Sequence, residues 1–377
     1  MPDLHDGSAY FLYHSIGQYP QKAADMAAAL TDFATCWGTA DTNQWGYALG
    51  KRAEFIGHWA RLIGADPGTV TTTENVTASL YSLIGALEAA HLAGRKVLVA
   101  GDCFPSVHFL LAGLAPRLGF ELVTVPLRQG ASWAEDEDIL SHWDDSVGLA
   151  LLTWVSSTSS HRSDIAMLAA HGHQKGSLMG VDITQAAGLL PFDVKAPEID
   201  FAISTSLKWM CGSPGAGMLY VKPALIAACH PEFRGWFSQP DPFSWDFDKF
   251  SYAPDIRRFD NGTPGVVAAL ASVPAMEWLA RQDAGRLLAH NRHLTALIEA
   301  GVTEMGLPLV SPKGPAHRGG SVMIRLPETR PAAALLARFA QQGIYADARG
   351  QTLRLSPGVM TTETGVARML DCLKSEV

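Results

Sequence analysis

Between residues 96 and 221, short apolar runs alternate with longer amphipathic ones. Strand-length runs stand at 96–102 (KVLVAGD), 120–127 (FELVTVPL), 147–157 (VGLALLTWVSS), 177–184 (SLMGVDIT), 200–206 (DFAISTS) and 215–221 (GAGMLYV). The run at 147–157 is apolar at nearly every position, the pattern of a strand covered on both faces. Between these runs, 107–119 (VHFLLAGLAPRLG) reads as a helix interrupted near Pro116, and 164–176 (DIAMLAAHGHQKG) as a helix closed by Gly176. Strands alternating with helices predict an α/β fold, a mostly parallel sheet with helices on both faces. Ligands bind beyond the carboxyl ends of the strands in such sheets. Chemistry is therefore expected at Asp102, Cys103, Phe104, Ser156, Asp182, Thr205 and Lys208, which end or follow predicted strands.

The flanks read differently. Residues 71–87 (TTTENVTASLYSLIGAL) look like a loop entering a helix, with Glu74, Asn75 and Thr77 as candidate caps. After Val221 comes a stretch rich in Pro and aromatic residues, up to Gly265. Irregular segments of that length usually carry function. One long helical pattern is expected from Val266 to about Gly301. SVMIRLP, PAAALLARFAQQG and IYADARGQTLRLSPG then read β-α-β-β, a small α+β domain.

Composition narrows the ligand classes. The 377 residues are 47% hydrophobic and 18% charged, enough for a sizeable core and too apolar for a disordered chain. A net charge of -8 with no Lys/Arg run argues against nucleic acid. No apolar run reaches membrane-spanning length. The opening MPDLHDGSAYFLYHSIGQYP has no basic stretch followed by an apolar one, so no signal peptide is expected. Five scattered cysteines without C-x-x-C spacing predict reduced thiols and a cytoplasmic location. The His pairs in HGHQKG and AHNRH lack partners at ligand spacing, so no metal is expected. GSPGAG lacks the spacing of a dinucleotide loop.

Lys208 stands in an apolar segment, where a buried ammonium costs several kcal/mol unless it snorkels to the surface. Three features give it a task. Asp182 ends an earlier strand. The turn at 74–77 opens a helix whose N-terminus suits a phosphate. Phe104 offers a flat ring after another strand. An amine, a carboxylate, a phosphate cradle and an aromatic lid are together what pyridoxal 5'-phosphate requires.

These segments resemble the fold-type I pyridoxal-phosphate enzymes of the class V aminotransferase group, and within it the kynureninases. YFLYHSIGQYP is similar to the kynureninase opening N-S-L-G-x-x-P, and WGTADTNQW to a W-G-x-x-x-x-x-x-W segment. FPS (104–106), VDITQAAGLLPFDV (181–194), the Lys208 segment with GSPGAG, RGWF (234–237) and RRFDNGTPG (257–265) follow in the family's order. The resemblance implies a large cofactor-binding domain over residues 46–262, and a small domain built from 1–45 and 263–377. It implies that Lys208 carries the cofactor as a Schiff base, that Asp182 pairs with its pyridine nitrogen and that Phe104 stacks on its ring. Asn75, Val76 and Thr77 match the phosphate-binding turn, with Thr205 beside it. Thr263 matches a residue that reaches the phosphate from a neighbouring subunit, which implies a homodimer with shared sites. Arg354, in LRLSPG, matches the arginine that clamps the substrate α-carboxylate, a task suited to a bidentate fork. Trp236 marks the aromatic segment expected near the substrate.

The chain departs from the kynureninase pattern at four places. Val107 replaces an Asp, Gln185 a His among the cofactor contacts, Leu207 a Tyr and Ser156 an Asn. The resemblance implies hydrolysis of the Cβ–Cγ bond of kynurenine or a related γ-keto amino acid. Aminotransferase, epimerase and β-eliminating lyase chemistry also begins with loss of the Cα proton and stays open. So does a non-catalytic protein of this fold, against which the presence of Lys208, Asp182 and Arg354 speaks. Desulfurases and selenocysteine lyases need a mobile Cys before the C-terminal Arg strand, and residues 315–353 contain none.

Overall fold

The computed structural model describes residues 8–376. Residues 1–7, part of the stretch read as lacking a signal peptide, lie outside the described residues. The chain opens with a short strand, β1 (Ala9–Tyr10), and two helices, α1 (Lys22–Gly38) and α2 (Gln44–Leu62). Then follow β2 (Val70–Thr73), α3 (Val76–Ile84), β3 (Lys96–Ala100), α4 (Pro105–Leu118) and β4 (Glu121–Val125). Next come α5 (Asp136–Ser141), β5 (Val147–Thr153), α6 (Ile165–Lys175), β6 (Leu178–Asp182), β7 (Phe201–Thr205), β8 (Gly217–Val221) and α7 (Pro223–Ala228).

The seven strands β2 to β8 form one sheet in the order β2-β8-β7-β6-β5-β3-β4. Only β8 runs antiparallel to its neighbours, so the sheet is mostly parallel, as the alternating pattern predicts. Its strands bury both faces. Leu98, Ala150 and Val181 join an apolar cluster on one side with Trp59 and Met218, while Val97, Val99, Leu149 and Leu151 join another with Leu80 and Leu219. Gly176 does close α6, at φ 68.

Three expectations need correction. Residues 70–73 are a strand and not a loop: β-branched threonines extend along β8 at the sheet edge. The helix around Pro116 is not interrupted. It runs through the proline at the loss of one ladder bond near its end, and stops at Gly119 (φ 73). The single helix from Val266 is two, α8 (Val267–Ala280) and α9 (Ala284–Glu304). Asp283 starts the second by accepting a hydrogen bond from the Arg286 N–H.

The C-terminal part adds β9 (Val322–Arg325), α10 (Ala332–Gln341), β10 (Ile344–Tyr345), β11 (Asp347–Arg349), β12 (Thr352–Leu355) and α11 (Glu363–Glu376). β9, β11 and β12 form an antiparallel sheet in the order β11-β12-β9. The N-terminal segment joins it at the side, β1 pairing in parallel with β10. Ala9 and Phe11 share a separate apolar cluster with Ile298, Val322, Phe339 and Met369.

Candidate active site

The carboxyl ends of β6 and β7 and the N-termini of α3 and α4 converge on one cleft of about 880 Å³. Its walls are largely apolar, with Tyr81, Leu110, Val155, Leu207 and Pro214 among them. Lys208 lies in the loop after β7. That loop is held by backbone bonds from Ser206 N to Ala216 O, Gly212 N to Ser206 O and Cys211 N to Lys208 O. The turn demands a left-handed φ of 60 at Cys211, unusual for a residue with a side chain. A second layer comes from the N-terminal segment, where Gly17 N donates to Leu207 O. A Cβ at Gly17 would stand 1.7 Å from the Lys208 carbonyl oxygen, so only glycine lets the segment lie this close.

Lys208 faces the cleft, yet its ammonium is enclosed by protein, and burial pulls its pKa down to about 8. The Asp182 carboxylate opposes that fall, and the Arg354 charge adds to it. Among the described residues the Lys208 Nζ makes no hydrogen bond or salt bridge; it stands 5.6 Å from the centre of the Phe104 ring. Asp182 ends β6 and is buried. Burial raises its pKa, and the Thr184 N–H, 2.9 Å from its Oδ1, and the Lys208 charge restrain the rise. A buried carboxylate of this kind favours a cationic or N–H partner inside the cleft.

Asn75 caps α3 as its position suggests, its side chain accepting from the Ala78 N–H at 2.9 Å. The N–H groups of Val76 and Thr77 stay outside the helix's own ladder and border the cleft. Thr205, Gln185 and Phe104 line it too. Arg354 comes from β12. It is buried, and its Nη1 donates at 3.1 Å to the carbonyl oxygen of Ser157, a cleft residue.

Thr263 and Trp236 are not brought to this cleft within one chain. Thr263 is exposed in the loop before α8. Trp236 packs edge-on against Phe237 and Phe243. Of the four departures, Leu207 and Gln185 face the cleft. Val107 is buried in the apolar cluster beneath α4, and Ser106 takes the cleft side instead. Ser156 is buried, 3.2 Å from the Thr158 hydroxyl.

Two neighbours of Arg354 escaped the sequence reading, Asp347 and His14. Asp347 was within reach. A two-residue turn at Gly350 and Gln351 pairs Arg349 with Thr352, and counting back sets Asp347 opposite Arg354. For His14 no local signal exists, because its partners are far along the chain.

An amine without a hydrogen bond or salt bridge among the described residues, a buried carboxylate, free helix N–H groups and a ring beside the amine suit pyridoxal phosphate. Comparison with known proteins agrees. The aminotransferase class-V family matches residues 53–367, and the chain belongs to that family. It is a pyridoxal-phosphate-dependent enzyme of fold type I. Among relatives, it is 29% identical over 403 residues to a kynureninase of Deinococcus radiodurans, covering 99% of this chain and 92% of that one. It is 27% identical over 350 residues to an uncharacterized aminotransferase of Bacillus subtilis, covering 93% and 90%. Among solved structures, a cysteine desulfurase of Thermococcus onnurineus superposes with a TM-score of 0.85 at 19% identity, over 98% of this chain and 94% of that one. A cystine C–S lyase bound to cysteine persulfide gives 0.87 at 19% identity, over 100% and 99%. At that identity the likeness is one of fold.

No helix among the described residues is long and apolar enough to cross a membrane, and no group of three or more His, Cys, Asp or Glu among them is placed to hold a metal ion.

Proposed function

We propose that the protein hydrolyses the Cβ–Cγ bond of a γ-keto amino acid of the kynurenine type, giving alanine and a carboxylic acid with consumption of one water. The observation that carries this reading is the kynureninase relative matched along 99% of the chain. The apolar walls of the cleft support an aryl or similarly flat substituent on the ketone. Absence of cysteine from residues 315–353 speaks against desulfuration despite the desulfurase-like fold.

In this reading Lys208 attaches the cofactor, and its released amine takes the Cα proton. Bound pyridoxal phosphate supplies an electrophilic carbonyl and an electron-withdrawing ring. Asp182 holds a proton at the ring nitrogen, Phe104 covers the ring and Gln185 borders it. Asn75, Val76, Thr77 and Thr205 receive the phosphate, joined by Thr263 of a second copy in a homodimer with shared sites. Arg354 binds the substrate carboxylate, and Trp236 stands toward the aryl group across that dimer. The division into a domain of residues 46–262 and one of 1–45 with 263–377 belongs to the same proposal. It is supported by the pairing of β1 with β10. A cytoplasmic location is supported by five free thiols.

Transamination is the second reading, favoured by the Bacillus subtilis relative. Incubation with kynurenine, without any keto acid, separates the two. Alanine and the aryl acid in equal amounts are expected. Turnover that demands an added keto acid and releases no aryl acid would replace hydrolysis by transamination.

A further inference from the structure

Behind the cleft the buried side chains of Arg354 and His14 and the half-buried Asp347 form one array, and the reading above gives a task to only one of them. The Arg354 Nε donates to Asp347 Oδ1 at 2.8 Å, and its Nη2 donates to Oδ2. His14 Nε2 stands 2.8 Å from the same Oδ1, and its Nδ1 lies 2.7 Å from the Ser356 hydroxyl. The His14 side chain is only 1% exposed, and burial holds its pKa down at about 4. The ring is therefore neutral in use: Nε2–H donates to Asp347 and Nδ1 accepts from Ser356. Burial opposes ionisation of Asp347, but the hydrogen bonds from His14 and Arg354 outweigh it and hold the carboxyl below the usual range.

A guanidinium has five N–H groups. Asp347 takes two side-on and the Ser157 carbonyl takes a third. One N–H is left on each terminal nitrogen, and Arg354, though not itself in the cleft lining, lies directly behind Ser157, which is. Arginine is a long side chain with many rotamers, and an unheld fork would face the cleft only part of the time.

We propose that Asp347 and His14 are positioning residues which hold Arg354 side-on, so that an amino acid carboxylate is received end-on by the two remaining N–H groups. This rests on the reading of Arg354 as the carboxylate clamp. It excludes the opposite role, in which Asp347 competes with the substrate and must be displaced.

The test is calorimetric binding of L-alanine and L-alaninamide to the holoenzyme, which requires no turnover. The parent should prefer alanine by about tenfold or more, the scale of a hydrogen bond to a charged group. Asp347→Asn, which keeps the shape but loses the charge, should erase most of that preference. His14→Ala should lower it, and His14→Gln, which restores an N–H donor, should recover it. Should Asp347→Asn bind alanine as tightly as the parent or more tightly, with the preference intact, the positioning role is overturned and Asp347 is a competitor or a bystander. A parent that does not distinguish alanine from its amide would instead remove Arg354 as the clamp, and the inference with it.

Discussion

Arg52 and Arg354 each bury a guanidinium against an aspartate, yet they use their donors differently. At Arg52, on α2, the end-on pair is filled by Asp260, with Nη1 and Nη2 at 3.1 and 2.7 Å from its oxygens. Nε and Nη2 also reach the hydroxyls of Thr72 and Thr71 at 2.8 Å. The result ties α2 to the sheet edge and faces no cleft. At Arg354 the aspartate takes the side of the fork, the Ser157 carbonyl takes one more N–H, and one N–H is left on each terminal nitrogen. Lys208 goes further and makes no hydrogen bond or salt bridge among the described residues, with only the centre of the Phe104 ring 5.6 Å from its Nζ. Arg52 uses four of its five N–H groups and Arg354 three, a smaller supply of protein partners that fits the ligand role proposed for Arg354.

The comparison breaks most visibly at Lys208. Lys208→Met should abolish both turnover and the adduct fixed by borohydride on this residue, read by peptide mass spectrometry. An adduct found on another lysine would remove Lys208 from the role proposed for it. Asp182→Asn should still load cofactor but slow Cα deprotonation by about two orders of magnitude or more, since an amide cannot favour the pyridinium. Alpha-deuterium exchange measures this directly, and a rate near that of the parent would place the ring elsewhere.

The two arginines give the sharper contrast. Arg52→Ala should cost about 3–5 kcal/mol of stability, the scale for stranding a buried partner, here Asp260. It should leave amino acid affinity in the surviving folded protein almost unchanged. Arg354→Ala should do the reverse, losing about 1.5–3 kcal/mol of alanine binding with a smaller drop in melting temperature. Equal effects of both on binding would erase the distinction.

The smallest expected effect is a pH dependence. In the cofactor-free protein the Lys208 pKa falls from 10.5 to about 8. Below 8 both folded and unfolded chains carry the proton, and the folded chain bears the full burden of the buried charge. Between 8 and 10.5 the unfolded chain binds more protons, so stability from this group rises with pH. Cofactor-free Lys208→Met should therefore melt higher than the parent near neutral pH, with the gap closing as pH rises through that window. A gap independent of pH would mean that the ammonium is not desolvated.

The central strands were readable because burial on both faces leaves an uninterrupted apolar run, as at 147–157. The placing of Asp182 and Lys208 at the cleft was readable because such sheets form their clefts at the carboxyl ends of strands. The edge strand Val70–Thr73 was not, since threonines beside a loop carry no apolar signature. The break before Ala284 was missed although Asp283 marked it, because apolar periodicity continues across it. His14 could not be read at all: it meets Ser356 342 positions away. Only the packed chain joins them.

That last contact has a consequence for how the protein is made. β1 has no partner until residues 344–345 exist, and Gly17 lies over the lysine loop with His14 fixed by Ser356. On the ribosome, Lys208 is synthesised long before Asp347, Arg354 and Ser356. The growing chain can therefore complete its central sheet, whose last strand ends at Val221, while residues 9–17 still wait for residues 344–356. The array behind the cleft closes only after residue 356 has been made.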